Sequence, residues 1–441
     1  MKKIYILFFI LFPFLITSCS KEDSRGEPDN PSVPEELSEY LVAPCDGTIE
    51  YLINDLLGLL RSEGYDTDND GKISCTEADK VEHLNLGKNA SIRSLDGIEY
   101  LRNLQTITGT LELKSTIYPY VTTLNLLNNK KLEEINFNVS EFGVRSSVGT
   151  VVLPNSNSLK IIDFSQTSIH GEILNIENKN KLKYVHISSG EPSILDLSES
   201  PNLEEVHVGN KVILGNHSLL ETLVAPSVVD VDFSKIPNLE TLRTTGGNLI
   251  DIDLSNNPKL QVLELPSSNL AQIDLTKNKQ LTELNLNYNL ISQLNFSENS
   301  ELTFLSATNN GLISLDVSNS SKLTELYLTG NDLESINLNN NLALERVDLS
   351  KNKIKSLDFK AHKNLKYVDV SENDLTFLSL KNGNNSALSG GTVILPGGGT
   401  IIYSNVRANQ NSLQCIEIDQ GFTNYSRWIK DSFTEYSTQC D

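Results

Sequence analysis

The stretch LTELNLNYNLISQLNFSENSE, residues 281–301, is followed by LTFLSATNNGLISLDVSNSSK at 302–322 and LTELYLTGNDLESINLNNNLA at 323–343. The three segments share one 21-residue pattern, in which apolar residues recur at the first, fourth and sixth positions. Seven successive starts of this pattern lie 21 residues apart, at Leu239, Leu260, Leu281, Leu302, Leu323, Leu344 and Leu365. A period held this long indicates a solenoid, in which each short coil stacks on the next.

Each repeat predicts one short strand. In the segment LxL, alternation places the leucines on one face of a strand and the intervening residues on the other. A single coil cannot bury its leucines alone, so neighbouring coils must stack and pair their strands about 4.8 Å apart in a parallel sheet. The second half of the unit is another alternating tripeptide, which predicts a short strand or extended segment on the opposite face. The predicted fold class is mainly β, a parallel-sheet solenoid with short strands on both faces.

Polar residues also recur in columns. An inward asparagine at a turn can bond backbone groups of adjacent coils that would otherwise be buried without partners. One column holds Asn289, Asn310, Asn331, Asn352 and Asn373, and another holds Asn257, Asn278, Asn299 and Asn341. We interpret both as structural ladders, and the column of Asp253, Asp274, Asp316 and Asp358 as a solvated or turn-bonding face.

The coils before residue 239 are less regular, and their length changes fall between the two half-strands. This predicts loops on one edge of the solenoid. A Gly- and Ser-rich insertion spans about 386–404, and the last strand of the array is predicted to begin at Leu413.

The repeat LxxLxLxxNxLxxLDLSxNxx carries the leucine-rich-repeat consensus in its first half. Residues 81–418 resemble bacterial leucine-rich-repeat arrays with nested 21-residue units. The segment VEHLNLGKNASIRSLDGIEYLRNLQTI, residues 81–107, is similar to the entry coil of internalin-like proteins. The resemblance implies a leucine-rich-repeat solenoid at 81–418 and the function of binding a macromolecule.

The N-terminus has the pattern of an export signal. Two lysines precede a short apolar segment, residues 4–16, which is too short to span a bilayer. It ends in Ile16-Thr17-Ser18-Cys19, which resembles a bacterial lipobox. The resemblance implies a signal peptide at 1–18 and lipidation of Cys19; the alternative is an ordinary signal with a chance cysteine.

Ser20-Lys21-Glu22-Asp23 is similar to the surface-export signal of Bacteroidota lipoproteins. The resemblance implies an outer-membrane lipoprotein that faces the cell exterior, whereas an acidic tether alone would also suit a periplasm-facing one. Residues 19–44 are rich in Pro, Glu, Asp and Ser and predict a lipid-anchored disordered linker. The chain would then contact the membrane only through its lipid.

Residues 45–80 predict a helical N-terminal cap with a calcium loop. A helix over about 48–62 is followed by DTDNDGKISCTE, residues 66–77. This segment has the spacing of an EF-hand loop, with a glycine at the sixth position for the sharp turn. The predicted ligands of one structural calcium ion are Asp66, Asp68, Asp70, the Lys72 carbonyl, Ser74 and Glu77. The alternative is an acidic turn without a metal.

Four cysteines remain besides Cys19. An exported protein meets an oxidising compartment, so these cysteines can pair. Proximity in the sequence favours bridges between Cys45 and Cys75 and between Cys415 and Cys440, although four cysteines allow three pairings. Residues 419–441 break the repeat and resemble the cysteine-containing end cap of flavobacterial leucine-rich-repeat proteins, which implies a disulfide-bonded C-terminal cap.

Composition excludes several functions. The chain has 441 residues and a formal net charge of -21, without a long basic run. Nucleic acids and anionic membrane surfaces attract clustered Lys and Arg, so neither is a predicted partner. The sequence has no HExxH, GxSxG, P-loop or Rossmann glycine motif, so we expect a protein that is not an enzyme.

The outward positions of the sheet are the best candidates for binding. Aromatic residues beside arginine and carboxylates are typical of protein-binding hot spots. The predicted partner-binding residues are Phe304, Glu325, Tyr327, Arg346, Asp348, Tyr367 and Asp369. A second candidate set is Tyr184, His186, Glu205 and His207, in which the two histidines with Asp163 are either a metal site or simply exposed residues.

These features predict a surface-anchored lipoprotein whose sheet binds a macromolecular partner. The first hypothesis is a protein ligand in adhesion or host interaction. The alternative is a glycan, captured by stacked aromatic rings for nutrient uptake.

Overall fold

The computed structural model describes residues 54–87, 95–109, 121–138, 146–188, 194–229, 231–245, 249–250, 252–388, 391–394 and 400–440. The predicted signal peptide and the linker at 19–44 lie outside these ranges. Within them, no helix combines the length and the apolar character that crossing a bilayer requires.

The architecture is a parallel-sheet solenoid of the leucine-rich-repeat type. Its main element, in the described part of the chain, is one sheet of fifteen parallel strands, called here the fifteen-strand sheet. The strands are, in spatial and chain order, His83–Asn85, Thr106–Thr108, Glu134–Asn136, Ile161–Phe164, Tyr184–Ile187, Glu205–Val208, Thr222–Ala225, Thr241–Thr244, Val262–Glu264, Glu283–Asn285, Phe304–Ser306, Glu325–Tyr327, Arg346–Asp348, Tyr367–Asp369 and Val406–Arg407.

The repeat period sets the register of this sheet. Leu284 pairs with Leu305, and Leu305 pairs with Leu326, so residues 21 apart stand side by side. The leucines point inward and are fully buried, as Leu281 and Leu284 are in one coil. Full burial of a leucine contributes about 1.5–3 kcal/mol, and this core therefore depends on each coil having a neighbour.

The opposite face carries the second half of each coil. Strands form there between residues 121 and 229 and again from residue 356 onward, and the second halves between residues 252 and 343 contain no strand. The strands on this side are Val121–Asn125, Ser146–Val152, Thr167–Ile169, Ile173–Leu174, Ile194–Asp196, Lys211–Ile213, Ser227–Val229, Ser356–Asp358, Phe377–Ser379, Cys415–Glu417 and Glu435–Ser437. The prediction of short strands on the opposite face is confirmed for the coils that contain them.

The asparagine columns form ladders between coils, as predicted. Asn331 Nδ2 donates to the carbonyls of Ala307 and Leu328, both at 2.9 Å, and its Oδ1 accepts from Leu312 N at 3.1 Å. In the second column, Asn278 Nδ2 donates to the carbonyls of Leu254 and Asn257. Asn331 thus satisfies backbone groups of two successive coils, whereas both acceptors of Asn278 lie in the coil before its own.

Helices are short and lie mainly at the ends of the array. The α-helices of the described residues are Asn54–Ser62 and Cys75–Ala78, and the 3-10 helices are Ile98–Tyr100, Phe233–Lys235 and Asn385–Leu388. Leu56 and Leu60 of the first helix are fully buried in the core. The part of the predicted helix before residue 54 lies outside the described residues.

The last coil departs from the sequence prediction. The insertion forms an antiparallel hairpin, Gly391–Ile394 with Thr400–Tyr403, and the fifteenth strand is Val406–Arg407. The start predicted at Leu413 is wrong, because Leu413 begins the second half of this coil and leads into Cys415–Glu417 on the opposite face. Asn411 holds the asparagine-ladder position there, donating to the Val370 carbonyl at 3.0 Å. The insertion separates this coil from the 21-residue period and hides its true start.

The C-terminal cap closes the array. Cys415 and Cys440 form the predicted disulfide. Trp428 is buried, and its Nε1 donates to the Leu388 carbonyl at 2.7 Å. The cap is thus joined to the solenoid by a covalent bond, by the strand Glu435–Ser437 and by an aromatic side chain.

Candidate partner-binding surface

The structure brings the seven predicted binding residues together on four adjacent strands. Parallel pairing places Phe304 beside Glu325 and Tyr327 beside Asp348. It also places Arg346 beside Tyr367. We call this set the aromatic patch: Phe304, Glu325, Tyr327, Arg346, Asp348, Tyr367 and Asp369.

Phe304 and Tyr327 form the aromatic centre of the patch. Their ring centroids lie 5.7 Å apart, and their planes are tilted by 47°. Both side chains are half-buried. The Tyr327 hydroxyl donates to Glu325 Oε2 at 2.6 Å. Burial, followed by this hydrogen bond, raises the pKa of Tyr327, so the phenol is neutral and its ring face is the part left for a ligand.

Tyr367 and Arg346 extend the patch toward the C-terminal cap. Arg346 is exposed, and its Nε lies 3.9 Å from Glu325 Oε1. The Tyr367 hydroxyl is 3.4 Å from Asp369 Oδ2, and burial raises the pKa of Tyr367 to about 12. Because a partly paired, exposed guanidinium can still donate to a ligand, Arg346 is the most available charged group here.

The two aspartates support the patch from its edge. Asp348 Oδ1 accepts hydrogen bonds from the backbone and the hydroxyl of Ser350. Asp369 Oδ1 accepts equivalent bonds from Ser371. Asp369 is 6% exposed, and burial raises its pKa. Asp369 can therefore orient its neighbours in the patch but presents little surface to a partner.

Arg407 is a member of this surface that the sequence prediction missed. It pairs with Asp369 across the last two strands, and its Nε lies 3.9 Å from Asp369 Oδ2. Its side chain is exposed. The sequence signal for Arg407 is Asn411, which holds the ladder position. The ladder asparagine lies eight residues after the start of a coil, so Asn411 sets the start of this coil at Tyr403 and places Arg407 on the strand.

The predicted calcium loop, residues 66–77, has the turn that such a loop needs. Asn69 and Gly71 have positive φ angles of 60° and 84°. Gly71 N donates to Asp66 Oδ2 at 3.1 Å, which folds the loop back on its first residue. The carboxylates of Asp66, Asp68 and Asp70 offer ligand oxygens that lie within 4.8 Å of one another.

Asp66 also has an oxygen without a partner. Its side chain is only 6% exposed, and Arg61 Nε lies 3.4 Å from its Oδ2. Its Oδ1 is buried and accepts no hydrogen bond from the described residues. A buried carboxylate oxygen is normally hydrogen-bonded or metal-bound, so this atom fits a cation ligand.

Glu77 occupies a different position from the three aspartates. Its Oε1 accepts from the backbone and hydroxyl of Thr67, and its Oε2 accepts from the backbone and hydroxyl of Ser74. These bonds, the one from the Ser74 backbone first, lower the pKa of Glu77 to about 2. Ser74 and Glu77 form a capping box at the start of the helix Cys75–Ala78. Lys72 donates its backbone N–H to Asp70 and is exposed.

The remaining predicted positions are cysteines. Cys75 is disulfide-bonded. Its predicted partner, Cys45, lies outside the described residues, as does the predicted lipidation site, Cys19.

No protein-family model and no curated protein matches this chain. Solved structures do match. The functional domain of InlJ from Listeria monocytogenes, which includes a cysteine ladder, superposes with a TM-score of 0.57 at 18% identity, covering 81% of this chain and 72% of that chain.

Two plant receptors are also similar. The peptide hormone receptor RGFR1, in complex with RGF2, gives a TM-score of 0.54 at 17% identity and covers 73% of this chain and 55% of that chain. The ectodomain of GASSHO1/SCHENGEN3 from Arabidopsis thaliana, in complex with CASPARIAN STRIP INTEGRITY FACTOR 2, gives a TM-score of 0.52 at 16% identity. This match covers 80% of this chain and 49% of that chain. At these identities the likeness shows the leucine-rich-repeat solenoid fold.

Proposed function

We propose that this chain is a surface-anchored, non-enzymatic lipoprotein whose fifteen-strand sheet binds a protein partner through the aromatic patch, in adhesion or host interaction. The observation that carries this proposal is the convergence of Phe304, Tyr327, Tyr367 and Arg346 on adjacent strands. Aromatic residues and arginine dominate the binding energy of protein interfaces. The solved complexes of RGFR1 and GASSHO1, which hold ligands on the same fold, support a protein partner in general.

Preorganisation favours binding at this surface. The hydrogen bond from Tyr327 to Glu325 and the proximity of Arg346 to the same carboxylate restrict side chains before a partner arrives. Ordering flexible side chains costs about 0.5–1.5 kcal/mol each on association, so a patch that is already ordered avoids part of that cost. The strands beneath it are fixed by backbone pairing on both sides.

The proposed anchor is a lipid on Cys19, joined to the solenoid by the linker at 19–44. In this proposal the linker holds the sheet away from the outer membrane, facing the cell exterior. Labelling of intact cells with an antibody to the solenoid, and its loss in a Cys19→Ala variant, tests this anchor separately from ligand binding.

The binding proposal is tested with soluble protein that begins at Ser20. The immobilised protein is exposed, with calcium present, to a panel of extracellular proteins and polysaccharides. For a protein that binds, Tyr327→Ala and Tyr367→Ala are each expected to weaken the affinity by about thirtyfold, the effect of a hot-spot residue worth about 2 kcal/mol. Tyr288→Ala is the control, since Tyr288 is an exposed tyrosine in a turn of another coil and belongs to neither candidate binding set.

The outcomes separate the functions. A protein ligand that both patch variants lose and the control retains supports the proposal. Saturable polysaccharide binding with the same dependence would instead assign the patch to glycan capture. Binding that is indifferent to all three variants would overturn the role of the patch.

We also propose that residues 66–77 bind one structural calcium ion. The proposed ligands are Asp66, Asp68, Asp70, the Lys72 carbonyl, Ser74 and Glu77. To bind the ion, Glu77 would give up its hydrogen bonds with Thr67 and Ser74. The orphaned Asp66 Oδ1 and the loop turn support this set. Bound calcium would supply charge compensation and tie the cap helix to the first coil.

Calorimetric titration with calcium tests this second proposal. We expect one equivalent to bind and to raise the thermal unfolding temperature, and we expect Asp66→Asn to remove both effects. Glu63→Gln, at an exposed carboxylate just outside the loop, should change neither. If the native protein and Asp66→Asn respond alike to calcium and to a chelator, the loop is an acidic turn without a structural metal.

A further inference from the structure

Two histidines and a glutamate meet on the fifteen-strand sheet, away from the aromatic patch. Parallel pairing places His186 beside His207, and the centroids of their rings lie 4.6 Å apart. Glu205 is two residues before His207 on the same side of the strand. We call His186, Glu205 and His207 the histidine cluster. It lies five strands from Phe304 along the sheet, or about 24 Å.

We propose that the histidine cluster binds a divalent transition-metal ion of the zinc class. Imidazole nitrogens suit zinc, copper and nickel ions, and two histidines with one carboxylate are an established ligand set for zinc. Calcium and magnesium prefer ligand sets made of oxygens, so this site would select a different ion from residues 66–77.

The ligand atoms already converge. His186 Nε2 is 3.1 Å from Glu205 Oε1, and His207 Nε2 is 3.0 Å from the same oxygen. One ligand atom from each of the three residues lies within 4.8 Å of the other two. Ligands around a tetrahedral zinc ion, at bond lengths near 2.0–2.2 Å, stand roughly 3.3–3.6 Å apart. A small outward movement of the Glu205 carboxylate therefore makes room for an ion.

His207 Nε2 is an unsatisfied polar atom inside this cluster. It is buried and has no hydrogen-bond partner in the described structure, despite its nearness to Glu205. A polar nitrogen of this kind is costly unless something binds it, and a metal ion between the three side chains would satisfy it.

Asp163 lies behind His186, at the place where metal-binding histidines commonly have a carboxylate. Its Oδ2 is 3.9 Å from His186 Nδ1, on the side of the ring opposite the proposed ion. Its Oδ1 accepts from Ser165 N at 2.9 Å, which fixes the carboxylate in place. A carboxylate behind a histidine orients the ring and raises the basicity of the ligating nitrogen. At 3.9 Å, Asp163 places negative charge behind His186 without a hydrogen bond to its ring.

Nearby cations and hydroxyls have partners of their own. Arg243 Nε is 2.9 Å from Glu264 Oε1, and its guanidinium also lies 3.9 Å from Glu283, both on strands farther from His207. The Tyr184 hydroxyl donates to Glu204 rather than to Glu205. The Glu205 carboxylate is therefore directed at the two imidazoles.

The test uses the protein from Ser20 onward, with calcium in excess so that residues 66–77 are saturated. Zinc chloride is titrated by calorimetry, and one equivalent is expected to bind. His186→Gln and His207→Gln should each weaken that affinity by about tenfold or more, since even losing an outer support typically costs 10–100-fold. His83→Gln is the matched control, because His83 is an exposed histidine on the same sheet in the first strand.

Two further measurements keep the result independent of folding defects. Glu205→Gln retains the shape of the side chain and should also weaken zinc binding, while thermal unfolding without zinc stays at the native temperature. With Cu²⁺ as the probe, electron paramagnetic resonance should show coupling to two imidazole nitrogens in the native protein and to one in His186→Gln and in His207→Gln. The proposal is overturned if the native protein binds zinc no more tightly than the His186→Gln/His207→Gln double variant.

Discussion

His362 stands 21 residues after Asn341 and takes its place in the turn ladder. Asn341 Nδ2 donates to the Val317 carbonyl at 2.9 Å, and His362 Nε2 makes the equivalent contact with the Leu338 carbonyl at 3.1 Å. Because a carbonyl only accepts, the ring proton is on Nε2. His362 Nδ1 is then the unprotonated nitrogen, and it is buried without a hydrogen-bond partner in the described structure.

His362 should make the solenoid sensitive to acid. Burial lowers its pKa from the ordinary value of 6.5, so below that pH the folded chain binds fewer protons than the unfolded chain. Stability is then lost as the pH falls, and it is unaffected by this group at higher pH. Urea unfolding at about pH 7.5 and about pH 5 should show a smaller acid loss in His362→Asn than in the native protein. The exposed His83→Asn should retain the native pH dependence.

Lys179 is a second titratable residue in the same turn column, three residues before Leu182. It is 3% exposed, and burial lowers its pKa to about 8 from 10.5. The unfolded chain therefore binds more protons between these values, and stability rises as the pH increases from about 8 to about 10.5. Lys179→Asn should stabilise the protein at neutral pH by on the order of 2 kcal/mol. Chemical unfolding measures this change in the free energy of unfolding. An equal gain from Lys181→Asn, at an exposed lysine, would show that the burial of Lys179 is not the cause.

Replacing a single asparagine of the ladder should substantially lower the stability of the protein. Asn331→Ala removes bonds to two carbonyls and one N–H, all in the buried ladder between coils. Leaving buried backbone groups unpaired costs about 1–3 kcal/mol each, and with partial relaxation we expect a loss of about 2–4 kcal/mol in urea unfolding. The exposed Asn339→Ala, in the same coil, should cost less than about 0.5 kcal/mol.

The C-terminal disulfide should stabilise the cap. Cys415 and Cys440 are separated by 25 residues, and closing a loop of that length contributes about 3 kcal/mol in the chain-entropy description. Replacing both cysteines with serine should lower the unfolding temperature. Trp428 is the only tryptophan, so its fluorescence reports on the cap directly. A cap that melts together with the solenoid in both proteins, at the same temperature, would contradict the expectation.

The 21-residue period was sufficient to predict the register of the sheet. It placed Phe304, Glu325, Arg346 and Tyr367 side by side, since a parallel solenoid converts sequence spacing into lateral pairing. The same logic found the asparagine ladders and the nearness of His186 to His207. Inward leucines and outward polar residues followed from the alternation of a strand.

Other features depend on contacts that the repeat does not encode. The insertion before Val406 interrupts the 21-residue period. The start of the last coil is therefore hard to find in the sequence, because Tyr403 occupies the position that a leucine holds in the other coils. Lys179 and His362 replace asparagine in the turn column, where the sequence spacing places them, and the structure adds that both are buried. The burial of Asp369 and the capping bonds of Glu77 arise from local side-chain geometry.

The ladder of parallel coils also determines how the chain responds to mechanical force. Each coil is bonded to the coils beside it, so a pull on one end of the array detaches coils one after another instead of shearing the sheet at once. Each released coil of 21 residues adds about 70 Å of extended chain. The Cys415–Cys440 bridge excludes the residues between the two cysteines from this extension. We therefore expect the solenoid to lengthen in steps under tension, while the residues between Cys415 and Cys440 stay linked by the disulfide.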